Sequence, residues 1–499
     1  MEYISTRGYE NHITASHAIV SGIAPDGGLF VPEFIPILSQ DELIGLYKKN
    51  FQDIAFFIMK KFITDIKSED LKQCISESYN PKIFDNPLIC PLRSLTDSIV
   101  MLELWHGPTC AFKDIALQLL PRLLTVSAKS LGEGSTFVIL TATSGDTGKA
   151  ALEGFKDVPK TKVVVFFPQD GVSDIQKSQM VTQEGKNVHV IGVKGNFDHA
   201  QNGVKEIFAD KILARKLEGM GIKLSSANSI NWGRLLPQIV YYFSSYISLL
   251  KSSHIKFGDK INVCIPTGNF GNIMAGYYAK RMGLPINKLI IATNENDVLA
   301  RFVKTGVYNA TKELKTTISP SMDILVSSNL ERLLYEVSGH NSEKIFELMN
   351  SLKQDHNYKI DNKMLSLIRE DFYADYATEK NTLKTIRAVF HKYKYTIDPH
   401  TAVGLHVYDK YVKKTEDQTL TVIASTASPY KFNRSVMNAL RKKTHSLENK
   451  DEFELLNILS ATTKTLVPRP LKNLASKPIL HNTICEKDEM KKVLEDILK

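Results

Sequence analysis

Six short runs of β-branched and other apolar residues, each followed by a stretch of helical spacing, constrain this chain more than any other feature. They span residues 137–143, 162–167, 188–193, 261–266, 289–293 and 420–425. Each run is apolar enough to be covered on both faces, and strands of that kind separated by helices pair in parallel through right-handed crossovers. The expected fold class is therefore α/β, with parallel sheets flanked by helices. Ligands of such sheets gather beyond the carboxyl ends of the strands, so the loops at those ends carry the functional argument.

After residues 137–143 comes SGDTG (144–148), where Ser144, Asp146, Thr147 and two glycines offer hydroxyls and backbone amides at a helix start. That arrangement suits an anion such as a substrate carboxylate. After residues 261–266 comes TGNFGN (267–272), a glycine-bracketed turn suited to a phosphate. After residues 420–425 comes TASPYKF (426–432), which leaves Thr426 at a strand end. Neither anion loop contains G-x-x-x-x-G-K-[ST], and TGNFGN departs from G-x-G-x-x-G, so the anion belongs to something other than a nucleotide. Each loop alone reads as an ordinary strand-to-helix turn; their combination carries the signal.

The stretch HGPTCAFKD (106–114) adds an amine. Ala111 and Phe112 precede Lys113, and Ile115, Ala116, Leu117, Leu119 and Leu120 follow it, so its ammonium is expected to be partly withdrawn from water. Desolvation lowers a lysine pKa and favours the neutral nucleophile; a place on an amphipathic surface helix would leave it charged. Pro108 and Thr109 are expected to start the following helix, and Pro121 to kink or end it. Further on, ANSINWGRLLPQ (227–238) sets Asn228, Ser229, Asn231 and Arg234 beside a helix start. A fixed guanidinium there clamps a phosphate well, although an N-cap accounts equally for the asparagine. His400, in DPHTAVG (398–404), reads as a structural histidine in a turn.

A chain of 499 residues exceeds one ordinary core and implies several packed units. Pro25, Asp26, Gly27 and Gly28 supply turn chemistry, and the helical patterns after them mark an N-terminal unit. The expected organisation is an N-terminal domain at 1–94, a large domain at 95–134 with 236–465, a small α/β domain at 135–235, and a C-terminal linker and helix at 466–499. The basic residues outnumber the acidic ones, 63 to 54, but lie scattered, which argues against nucleic acid and for attraction of small anions. Five cysteines without a C-x-x-C pair exclude a disulfide framework and a zinc knuckle, so reduced thiols, a cytoplasmic setting and no metal site are expected. No secretory signal is visible in MEYISTRGYENH. The longest charge-free run, 235–250, contains Pro237 and several serines and suits a core helix better than a membrane span.

A desolvated lysine, a phosphate cup, a carboxylate loop and a strand-end hydroxyl together suggest a pyridoxal-phosphate enzyme. Thr426 would meet the pyridine nitrogen where other such enzymes use a carboxylate, and a hydroxyl leaves the ring a weaker electron sink. The segments HGPTCAFKD, TSGDTG, NSINWGRLLPQ, TGNFGN and DPHTAVG, with the opening STRG and APDGGLFVPE, extend over most of the chain and thin out after about residue 440. Through them the chain resembles the threonine synthase family, in its longer form with an extra N-terminal domain. The resemblance implies the fold type II pyridoxal-phosphate architecture of the tryptophan synthase β-subunit. It also implies conversion of O-phosphohomoserine and water to threonine and phosphate. Lys113 matches the Schiff-base lysine, and Gly268, Asn269, Phe270, Gly271 and Asn272 match the loop around the cofactor phosphate. Ser144, Asp146 and Thr147 match the loop facing substrate and ring, Thr426 matches the pyridine-nitrogen partner, and Asn231 and Arg234 are candidates for the substrate phosphate. In this scheme Lys113 shuttles protons at Cα and Cβ while phosphate leaves Cγ and water adds at Cβ.

There are departures from the family's pattern. Its T-A-H-P-A-K-F reads TASPYKF here, with Ser428 for the histidine and Tyr430 for the alanine, and Trp105 and Cys110 replace more usual apolar residues. Because Thr426 is kept, these changes are expected to lie behind the site and to bear on selectivity. Two rivals stay in view: a threonine-synthase-like phospho-lyase giving 2-oxobutyrate, ammonia and phosphate, and a non-catalytic phosphometabolite-binding protein. The retained Lys113 argues against the second. The expected partner is the small-molecule substrate, with neither nucleic acid nor membrane, for a monomer or weak homo-oligomer.

Overall fold

The computed structural model describes residues 1–143, 145–169, 172–441, 447 and 449–499. Its larger sheet has the strand order Phe372–Tyr376, Ile286–Thr293, Ile261–Pro266, Thr421–Ser425, Ile99–Glu103, Leu92–Ser94. Neighbours pair in parallel except the last two, which are antiparallel. A smaller sheet, parallel throughout, runs Ile484–Cys485, Val188–Val193, Thr161–Pro168, Thr136–Ala142, Ile222–Ser225. All six apolar runs are strands. Ile261–Pro266 and Thr421–Ser425 are buried at every position, as helices covering both faces of a sheet require. Ile99–Glu103, Ile222–Ser225 and Phe372–Tyr376 add strands that the apolar runs did not include.

The charge-free run lies in the helix Trp232–Lys251, buried at every position from Trp232 to Ile247. Pro237 sits inside it, a position that removes one backbone donor, and surrounding packing carries the helix through. Asn231 caps its start, accepting from the Gly233 amide at 2.8 Å. The N-terminal unit packs against this helix: Tyr3 meets Trp232 edge-on at 5.4 Å. Strand Tyr3–Ser5 pairs antiparallel with Phe30–Pro32, and the Pro25–Gly28 turn between them closes on Asp26, whose carboxylate takes Ser5 Oγ, Tyr9 N and Gly28 N, each at 2.8 Å.

The chain around Lys113 differs from the sequence expectation. The helix begins at Lys113 itself, as Lys113–Leu117, and not at Pro108 or Thr109. Thr109 instead gives its amide and hydroxyl to Asp114, at 2.8 and 2.6 Å. Cys110 has φ 58°, a left-handed turn that interrupts helical continuation. Pro121 lies in the first turn of the next helix, Leu120–Ser130, where a missing amide costs nothing.

At the other end, helix Met490–Leu498 buries Met490, Leu494 and Leu498 against the small sheet, and Ile484–Cys485 adds a strand to that sheet's edge. Among the described residues no helix is long and apolar enough to cross a membrane. The five cysteines are free and buried.

Candidate active site

Loops from the carboxyl ends of strands in both sheets converge on Lys113. The segment before it pairs with the strand-end loop 426–432: Ala111 and Ala427 form a bridge, Phe112 N donates to Thr426 O at 2.8 Å, and Ser428 N donates to Cys110 O at 3.0 Å. These backbone bonds set Lys113 and Thr426 in one pocket. Two residues distant in sequence are thereby held side by side.

Lys113 Nζ lies 3.6 Å from Asp146 Oδ2 and donates to Ser321 Oγ at 3.3 Å. Ser321 Oγ in turn donates to Asp146 Oδ2 at 3.1 Å. Burial lowers the Lys113 pKa to about 8, with the Asp146 charge opposing and the Arg234 and Lys431 charges assisting. Burial would raise the Asp146 carboxyl, but Lys431 and Lys113 outweigh it and hold the group well below the usual range. Lys431 Nζ lies 2.6 Å from Asp146 Oδ1 and donates to Thr109 O at 2.9 Å; Gln176 Nε2 reaches the same carboxylate at 2.9 Å. Lysine and aspartate thus form a buried pair whose amine loses its proton far more readily than a surface lysine.

The TGNFGN turn forms the opposite wall. Phe270, at φ 63°, is the N-cap of helix Gly271–Arg281, so the backbone amides of a helix start face the pocket. Glycines keep the approach open. A Cβ on Gly268 would stand 2.7 Å from Ser321 O, and one on Gly271 would stand 3.1 Å from Ser229 Cβ. Asn329 secures the turn from behind, donating through its side chain to Asn269 O at 3.0 Å and Ser229 Oγ at 2.9 Å.

The pocket holds donors without acceptors. Asn272 receives Tyr241 OH on Oδ1 at 2.6 Å, while its Nδ2 has no partner, and Arg234 Nε is also unpartnered. Both side chains line the pocket. Buried donors of this kind are costly unless an acceptor arrives, and with a helix N-terminus beside them they fit a phosphate. Lys113, Thr147, Asn228, Ser229, Asn269 and Ser321 also line an outer cleft of about 610 Å³, in the range of metabolite sites.

Most of the residues singled out from sequence meet here: Lys113, Thr147, Arg234, Gly268, Asn269, Phe270, Gly271, Asn272 and Thr426 line the pocket, and Asp146 lies on the outer cleft. Ser144 lies outside the described residues. Asn231 does not reach the pocket; its Nδ2 donates to Ile19 O at 2.9 Å and its Oδ1 caps the helix, so it orients the turn from which Arg234 projects. Ser428 caps the short turn Pro429–Phe432, and Tyr430 OH reaches Thr465 O at 2.8 Å; neither lines the pocket. Two contributors escaped sequence reading: Lys431 stands beside the recognised strand-end motif, and Ser321 has no local signature. His400 was expected to be structural. His400 Nδ1 bonds Asp398 Oδ2 at 2.6 Å and Nε2 accepts from Ser321 N at 3.2 Å, so it holds the loop that carries Ser321.

Three family models match in succession: threonine synthase N terminus over residues 2–79, pyridoxal-phosphate dependent enzyme over 87–362, and threonine synthase C-terminal over 401–491. Threonine synthase of Schizosaccharomyces pombe is 40% identical over 469 residues, covering 88% of this chain and 89% of the relative. The chain belongs to the threonine synthase family. Threonine synthase-like 1 of Homo sapiens is 39% identical over 492 residues, 96% of this chain, and the chain spans 63% of that relative's length. Among solved structures, threonine synthase from yeast superposes with a TM-score of 0.88 at 35% identity, covering 100% of this chain and 98% of that one. The pyridoxal-phosphate-bound threonine synthase from Brucella melitensis gives 0.87 at 37%, with the same coverage. The fold is therefore the fold type II architecture of this threonine synthase family, with its extra N-terminal domain, and pyridoxal phosphate is the cofactor. The orphan donor of Asn272, the helix start at Gly271 and the lowered amine of Lys113 fit that group.

Proposed function

We propose that this protein converts O-phospho-L-homoserine and water to L-threonine and phosphate. The observation that carries the reading is Lys113: a buried amine with its pKa lowered to about 8, held beside Asp146 and Ser321 and facing a phosphate-type cup. Whole-length similarity to threonine synthases supports it.

Bound pyridoxal phosphate supplies a carbonyl for an amine and a ring that stabilises negative charge beside the substrate nitrogen. In this reading Gly268, Asn269, Phe270, Gly271 and Asn272 hold the cofactor phosphate, and Thr426 meets the pyridine nitrogen. Ser144, Asp146 and Thr147 face the substrate and ring. Arg234 offers its free Nε–H to the substrate phosphate, with Asn231 acting through it. Lys113 Nζ moves protons at the substrate's Cα and Cβ, a task for which a pKa near operating pH is best suited. Asp146 stays ionised and keeps a counter-charge near that nitrogen, and Ser321 Oγ bridges the two. The substrate's phosphate departs from Cγ and water adds at Cβ.

We place the protein in the cytoplasm, as a monomer or weak homo-oligomer. Its units are 1–94, 95–134 with 236–465, 135–235, and a C-terminal linker and helix at 466–499 whose strand Ile484–Cys485 pairs with Val188–Val193.

The test is to add O-phosphohomoserine to cofactor-loaded protein and follow phosphate, threonine and 2-oxobutyrate together. Threonine in step with phosphate is the expected result. Phosphate matched by 2-oxobutyrate would identify a phospho-lyase instead, and no phosphate release would remove O-phosphohomoserine as the substrate. Ligand binding with no turnover would mark a phosphometabolite-binding protein.

A further inference from the structure

A second cleft, of about 320 Å³, is walled by the HGPTC loop at Gly107 and Pro108 and shares no lining residue with the Lys113 pocket. Four parts of the chain meet there: the N-terminal unit at Lys82, the loop at His106, the small unit at Lys149 and Gln179, and the C-terminal segment at Arg469 and Lys477. Some of its charges are paired. Lys149 meets Glu153 at 2.9 Å, Lys156 meets Glu184 at 3.0 Å, and His106 meets Asp85 at 2.6 Å. Lys82 and Arg469 form no ion pair among the described residues, and Lys477 acts on Glu184 only at longer range, so the cleft's five lysine and arginine side chains face three carboxylates and leave an excess of positive charge. Gln179 also lines it, is only 2% exposed, and has a hydrogen-bond partner on neither its amide nitrogen nor its oxygen. Cations in excess along a concave wall attract anions, and a buried amide without a protein partner has hydrogen-bonding capacity left for a ligand.

The same elements that wall this cleft also build the active site. Helix Asp146–Phe155 carries Asp146 at its first position and Lys149 and Glu153 in the following turns. Helix Asp174–Val181 carries Gln176, which holds Asp146 Oδ1, and Gln179 one turn later. Pro108 precedes Thr109, whose carbonyl receives Lys431 Nζ. A ligand that draws these walls together acts on three of the groups that set the Lys113–Asp146 arrangement.

We propose that this cleft binds a phosphate group, free or carried on a small metabolite, and that its occupation modulates the reaction at Lys113. The regulatory half rests on the threonine synthase reading; the binding half does not. In that case Arg469 and Lys477 supply charge-assisted hydrogen bonds to the phosphate oxygens, and the volume leaves room for a carbon body beside them.

The test uses radiolabelled inorganic phosphate in equilibrium dialysis with the cofactor-loaded protein at constant ionic strength, comparing the wild type with Arg469→Gln/Lys477→Gln. One class of sites in the wild type is expected to weaken about tenfold or more in the double variant, and identical isotherms would overturn the proposal. Displacement by glycerol 3-phosphate at lower concentrations than by unlabelled phosphate assigns the site to a phosphate ester, and the reverse order assigns it to free phosphate. In phosphate-free buffer the double variant keeps the wild-type kcat and KM for threonine formation. Added phosphate then shifts wild-type kinetics by an increment that the variant lacks; equal responses would overturn the regulatory half. If no threonine forms at all, the dialysis still decides the binding.

Discussion

At the residue scale the protein turns on how Lys113 is charged. Burial lowers its pKa to about 8, so near neutral pH most of its amine is protonated and about a tenth is free. Protonation removes the nucleophilic lone pair, so in cofactor-free protein the rate of pyridoxal phosphate capture should climb with pH to about 8 and level off above it. Below that point the slope should be about tenfold per pH unit, read as the growth of the bound cofactor's visible absorbance. A profile still rising steeply toward pH 10 would mean an ordinary, solvated lysine. HGPTCAFKD advertised this withdrawal, because apolar neighbours on both sides of a lysine already imply it. Its partners were not legible. Lys431 and Ser321 reach Asp146 and Lys113 across separations that no local pattern encodes.

At the element scale, close approach decides what the helices tolerate. Helix Asp146–Phe155 crosses Lys113–Leu117 so tightly that a Cβ on Gly154 would fall 1.9 Å from Leu117 O. Backbone cannot yield as a flexible side chain can, so Gly154→Ala should cost about 3 kcal/mol of stability. It should also shift the cofactor absorbance, since the displaced helices carry Asp146 and Lys113. Chemical denaturation with the spectrum recorded in parallel checks both, and an unchanged midpoint would show that the crossing is slack. The strands were readable as runs buried on both faces, and Trp232–Lys251 as a charge-free helix. The helix start near Lys113 was misplaced, because Thr109 spends its amide and hydroxyl on Asp114 and not on capping. The outer strand Phe372–Tyr376 escaped because Asp375 and the tyrosines make it less apolar than a central strand.

At the scale of the whole molecule, the N-terminal unit is tied to the active site through one buried cation. Arg332 is fully buried and donates to Phe30 O at 3.0 Å, to Ile230 O at 2.6 Å and to Asn329. Asn329 secures the TGNFGN turn, while Arg7 pairs with Glu331 at 2.7 Å. Arg332→Met would strand those carbonyls, with an expected loss of about 3 kcal/mol and faster amide exchange in residues 1–33. Exchange unchanged there would show that Arg332 does not hold the unit in place. Composition, the buried strand runs and the ordered motifs determined the fold class and the cofactor-type chemistry, and they singled out Lys113 as the candidate amine, because each depends on local residue type and spacing. Only tertiary structure decided which loops share the pocket, that Asn231 caps a helix instead of reaching it, that His400 holds the Ser321 loop, and that the C-terminal strand joins the small sheet. Those outcomes depend on contacts between residues hundreds of positions apart, and packing geometry, not local preference, selects among them.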